Sequence, residues 1–161
     1  MKEKILEAFS TLGFKLDEVE GLGYNFSYEG LNFLWTFNED DEDFLNISIP
    51  AVYDYEDNKL AQSCALMFKV NSTLKYVKAY NVGTNIWLFY ERELFGGEDL
   101  EKLISRMILH LEAALAFTRK AIEDIEKVAN DDDDEDTETE ECCAEEIIYD
   151  KEDKNEEKKE D

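Results

Sequence analysis

The chain has 161 residues, with 41 Asp/Glu against 17 Lys/Arg, a formal charge of −24, and 43% hydrophobic and 12% aromatic residues. That length and composition suit one folded domain and argue against disorder throughout. The acidic balance argues against nucleic-acid binding by phosphate neutralisation and against docking on anionic lipid, and no apolar run reaches the ~18–20 residues of a membrane span.

Met1-Lys2-Glu3-Lys4 leads into an amphipathic stretch and not into the apolar core of a signal peptide, so a cytoplasmic location is expected. Residues 3–12 read as a helix: Ile5, Leu6, Phe9 and Leu12 recur at helical spacing, and Gly13 stands where a left-handed cap belongs. Three segments of period two follow. Tyr24, Phe26 and Tyr28 share one face, as do Leu31, Phe33, Trp35 and Phe37, and then Leu45, Ile47 and Ile49. Glu29-Gly30 suits a tight hairpin, residues 38–43 form an acidic turn, and Pro50 is expected to end the third strand.

Helical spacing returns over 57–71. Leu60, Cys64, Met67 or Phe68, and Asn71 are read as the inner face, with Asp54 and Asp57 at the helix start and Cys64 as a small core residue. Residues 75–82 and 86–94 read as strands joined by a turn at 82–85. Along the second of these, Ile86, Leu88 and Tyr90 point to one face and Trp87 and Phe89 to the other. A last helix is predicted from Asp99 to Ala129, after the Gly96-Gly97 break. Its main stripe is Leu100, Ile104, Met107, Leu111, Leu115 and Ile122. The predicted class is α+β: a single antiparallel five-stranded sheet with helices, in the order α-β-β-β-α-β-β-α, over residues 1–129.

Residues 130–161 carry 18 Asp/Glu and 4 Lys, and Ile147-Ile148-Tyr149 is their only apolar cluster. Such a segment buries too little apolar surface to offset its ordering entropy and is read as a disordered acidic tail. Cys64, Cys142 and Cys143 make no disulfide framework and fit a reducing compartment.

No catalytic constellation stands out. His110 is the sole histidine and lies about 100° from the main stripe of its helix, so it is expected at the boundary of core and solvent. The chain has no GxGxxG, P-loop, HExxH or CxxC, and the acidic runs lack EF-hand spacing. No enzyme activity, cofactor or metal is expected. The aromatic residues carry more information. With three helices and one sheet, the face bearing Trp87 and Phe89 needs a cover, which a second subunit or a bound peptide would supply. Leu109, Ala113, Ala116 and Phe117 lie together on the last helix, away from its main stripe, and form a second candidate for a partner or dimer contact.

The element order, the stretch Val70-Asn71-Ser72-Thr73-Leu74-Lys75-Tyr76-Val77-Lys78-Ala79-Tyr80, and the strand Trp87-Leu88-Phe89-Tyr90-Glu91-Arg92-Glu93-Leu94 before a long amphipathic helix resemble the YbjN-like family. That family shares the fold of class I type III secretion chaperones. An acidic hairpin leading into Phe44-Leu45-Asn46-Ile47 adds to the likeness, which spans about residues 1–127. The resemblance implies a non-enzymatic domain, often dimeric, that binds other proteins through apolar patches. The expected function is therefore an intracellular protein-binding module, chaperone-like or regulatory, with a protein partner or peptide segment and a homodimeric state. The alternatives are a small-ligand or enzymatic domain with a pocket between sheet and helices, and a protein whose acidic tail makes the contacts.

Overall fold

The expected first helix is α1 (Lys2–Thr11) in the computed structural model, which describes residues 1–55 and 59–132. It closes with a Schellman motif. Gly13 takes φ +81, its N–H donates to the Ser10 carbonyl, and the Phe14 N–H donates to the Phe9 carbonyl. The two phenyl rings then meet edge to face at 5.9 Å, so the cap already directs apolar surface toward the core.

The sheet is antiparallel and has six strands, not five: β1 (Asp17–Val19), β2 (Gly23–Tyr28), β3 (Leu31–Thr36), β4 (Phe44–Asp54), β5 (Val77–Val82) and β6 (Asn85–Glu93), in the spatial order β1-β2-β3-β4-β6-β5. The additional strand, β1, is three residues of mostly polar sequence and carries no alternation to detect. It is held by backbone pairing to β2. Between β2 and β3, Glu29 (φ 47) and Gly30 (φ 79) both take positive φ, the two-residue turn that matches strand twist. At the other end of this hairpin only glycine fits at position 23, because a Cβ there would lie 2.1 Å from the Trp35 carbonyl oxygen.

Pro50 does not end its strand. β4 runs on to Asp54 through a bulge that sets Pro50, Ala51 (φ 50) and Val52 between the pairs Ile49–Leu88 and Tyr53–Ile86. The last β4 residue paired to β3 is Ser48, so the missing proline N–H removes no bond on that side.

The second helix, α2 (Leu60–Thr73), buries Ser63, Leu66 and Val70. The inner face expected for it is therefore incorrect: Leu60, Cys64 and Phe68 are exposed. Apolar residues surround this short helix, so its period does not select a face, and packing against β5 does. Asn71 pairs with the outer edge of β5: its Nδ2 donates to the Ala79 carbonyl (2.9 Å) and its Oδ1 accepts from the Ala79 N–H (2.8 Å), which blunts that sheet edge. Asp54 belongs to β4, and Asp57 lies outside the described residues.

The third helix, α3 (Leu100–Asp132), has 33 residues, about 50 Å at 1.5 Å each. It packs on β4, β5 and β6, with α1 and α2 beside it. Ile104, Met107, Leu111 and Leu115 are buried as predicted, and Leu103, Ile108, Ala114 and Ala121 join them. One core unites these helical residues with Phe26, Phe33, Trp35, Ile47, Leu88 and Tyr90 of the sheet. α3 continues three residues past 129, and the tail from 133 lies outside the described residues, Cys142 and Cys143 included.

Candidate interaction surfaces

Among the described residues no helix lies on the second face of the sheet. Trp87 and Phe89 lie there, as strand parity requires, because Ile86, Leu88 and Tyr90 enter the core on the other side. Yet Phe89 is only 5% exposed. Tyr80 of β5 stacks on its ring at 3.9 Å with a 6° tilt, the Trp87 ring lies 6.0 Å from it, and Ser48 and Leu34 continue the row across β4 and β3. The strip thus covers itself by stacking. Glu91 fastens its polar edge. It accepts from Tyr80 Oη (3.3 Å), Lys78 Nζ (3.0 Å) and Asn46 Nδ2 (3.3 Å). Burial, and then the neighbouring Glu91 charge, push the Tyr80 hydroxyl up to about 12.

The second row of α3 divides. Leu109 (58%), Ala113 and Ala116 face outward, whereas Phe117 is half-buried against the core. His110 is a boundary residue, its ring 5.4 Å from Tyr76 and 5.8 Å from Tyr90. Ser105 donates its hydroxyl proton to the Glu101 carbonyl (2.8 Å) and not toward His110. Among the described residues no three His, Cys, Asp or Glu side chains converge as a metal site, and no helix is long and apolar enough to cross a membrane.

The carboxylates that titrate away from their ordinary value form no acid–base pair: Glu42 is held low by the N-terminal ammonium that donates to it, and Glu98 and Glu112 lie apart from each other in the chain. The N–H groups of Phe95 and Gly96, with Arg92 beyond them, hold Glu98 low. Burial and the Glu29 charge raise Glu112.

A groove of about 570 Å³ lies between α2 and the end of α3. Ala61, Ala65 and Phe68 face Ala121, Ile125 and Val128 across it. Phe68 is 75% exposed and Val128 62%. Lys69 stands on one rim and Asp124 on the other, so the groove is close to neutral in a strongly acidic chain. Gln62 also lines it, and its Oε1 is buried with no hydrogen-bond partner among the described residues. The sequence carries only a partial signal for this site: of the i, i+4, i+8 row Leu60–Cys64–Phe68, Phe68 lines the groove and the other two lie beside it. Read alone, that row passes for an inner face.

Architecture and surfaces together define an α+β domain of YbjN-like fold. The crystal structure of YbjN from E. coli, a candidate transcription regulator, is similar over 81% of this chain and 93% of that one, with a TM-score of 0.57 at 12% identity. An uncharacterised protein from Methanothermobacter thermautotrophicus is similar over 76% of this chain and 96% of its own, with a TM-score of 0.53 at 17% identity. No protein-family model matches the chain, and no curated protein matches it in sequence.

Proposed function

We propose that this chain is a non-enzymatic protein-binding module of regulatory type, which takes a short, neutral, apolar segment of a partner in the α2/α3 groove. The exposed apolar walls of that groove carry the reading, together with the Gln62 oxygen, which has no partner among the described residues. A segment there would bury two or three apolar side chains, each worth ~1.5–3 kcal/mol. Association costs several of those kcal/mol, so the affinity belongs at micromolar or weaker. The likeness to YbjN supports a regulatory role, and the charge of −24 directs it to proteins over nucleic acid. The expected homodimer is proposed on α3, where the exposed Leu109 shares a row with the exposed Ala113 and Ala116, small residues that let a second helix approach. The test is selection from a random heptapeptide library against the full chain and its Phe68→Asp variant. Apolar peptides retained by the first and lost at least tenfold by the second support the reading. Equal retention by both removes the groove as the site.

A further inference from the structure

We infer that the groove has an occupant within the same chain: the segment Ile147-Ile148-Tyr149 folds back from the acidic tail onto α2 and α3. This rests on the binding reading of the same groove and assigns its regulation, since a docked tail competes with a partner. Four observations meet here. The groove is built from the last turns of α3, and the helix ends at Asp132, three residues past the lining residue Ala129. Ile147-Ile148-Tyr149 is the sole apolar cluster among residues 130–161. The groove has the volume of a small-ligand site, ~300–1,000 Å³, and admits a few side chains, not the ~20–30 residues a side of a standard dimer interface. The buried Gln62 oxygen has no donor among the described residues, and a peptide N–H or the Tyr149 hydroxyl would supply one.

Reach and charge agree. Fourteen residues separate Asp132 from Ile147, and a flexible chain of that length spans about 20 Å between its ends. Ala121 lies eleven residues before Asp132, about 16 Å along the helix. The linker can therefore lay the apolar cluster along the groove, at an effective concentration of about millimolar. Glu145 and Glu146 precede the cluster, and Lys69 stands on the rim to meet them. The native cysteines offer a reporter. Cys64 is exposed on the flank of the groove, next to Phe68 on the helix surface, and Cys142-Cys143 lie a few residues ahead of Ile147. A disulfide forms only when Cα atoms come within about 7 Å, so Cys64 pairs with the tail only if the tail returns.

The experiment compares the full chain with its Ile147→Ser/Ile148→Ser variant. Methyl NMR follows Ala65, Ala121 and Val128, and mild diamide oxidation of a mixture of isotopically light and heavy copies is followed by peptide mapping. Docking predicts methyl shifts that move between the two proteins. It also predicts a Cys64–Cys142 or Cys64–Cys143 disulfide within single copies that falls at least fivefold in the variant. Unchanged methyl shifts overturn the proposal, as do disulfides that mix light and heavy copies. Library peptides separate this outcome from the parent reading. A docked tail makes them bind the variant about tenfold more tightly than the unaltered chain. Equal binding to both refutes the tail and leaves the groove as a partner site. A chain that binds no peptide, with or without the two serines, refutes the partner site while the methyl shifts still judge the tail.

Discussion

The two faces of the sheet both carry aromatic side chains, but they are closed in different ways. On one face Trp35, Phe33 and Phe26 share a core with residues of α1 and α3, and Trp35 is stacked 5.5 Å from Phe9. On the other, Phe89 has no helix above it among the described residues and is covered by Tyr80 from its own sheet. An aromatic strand face without a helix is thus not by itself a vacant binding surface. A flush cross-strand stack removes most of a ring from water. The helical side of the molecule shows the opposite: α2 and α3 both pack into the core, yet between their outer faces they leave an open apolar groove.

Substitutions can break or sharpen that contrast. Trp35→Ala empties the helix-covered face and should cost about 3–5 kcal/mol in urea unfolding. Phe89→Ala empties a face closed on one side only by a neighbouring ring and should cost about 2 kcal/mol. Equal losses would mean that both faces are cores of the same depth. Phe68→Ser removes a ring that lies mostly in solvent and should leave stability within about 0.5 kcal/mol. A loss as large as that of Phe89→Ala would show that Phe68 is a packing residue and not part of an open wall. Leu109→Glu should leave the fold intact and halve the mass seen by light scattering; an unchanged mass removes that row as the dimer contact.

The smallest effects come from charge. The folded-state pKa of Glu98 lies below its ordinary 4.5, so its contribution to stability is complete above that value and is lost as pH falls through the lowered one. Glu98→Gln should therefore destabilise at pH 7 and lose that effect in acid. Glu112 has the opposite sign, because its raised pKa makes the ionised form a cost at neutral pH. Glu112→Gln should stabilise slightly at pH 7, with the gain vanishing as pH falls through the raised pKa. Thermal unfolding of both variants across pH 3–7 checks the signs.

Much of this fold is legible in the sequence because strand parity is strict. Once Leu88 is inside, Trp87 and Phe89 must face the other way. The buried stripe of α3 is legible for a similar reason, since a long helix repeats its pattern often enough to fix its inner face. β1 is not legible: three residues, two of them acidic, held by backbone pairing leave no side-chain signature. Pro50 misleads because proline ends a strand only where its missing N–H would have been used. The α2 face misleads for a reason that bears on function. The residues that make its groove wall apolar are those an ordinary core would also use, and only the position of β5 shows which side is covered. The same ambiguity hides the groove, which needs residues about sixty positions apart to meet.

The most direct test is amide chemical-shift mapping on the full-length protein, titrated with the tightest library-selected peptide. The account predicts perturbations concentrated at residues 60–69 of α2 and 121–129 of α3, with strands β5 and β6 and the Leu109 row unmoved. Perturbations centred on Trp87 and Phe89, or on Leu109 and Ala113, would contradict it.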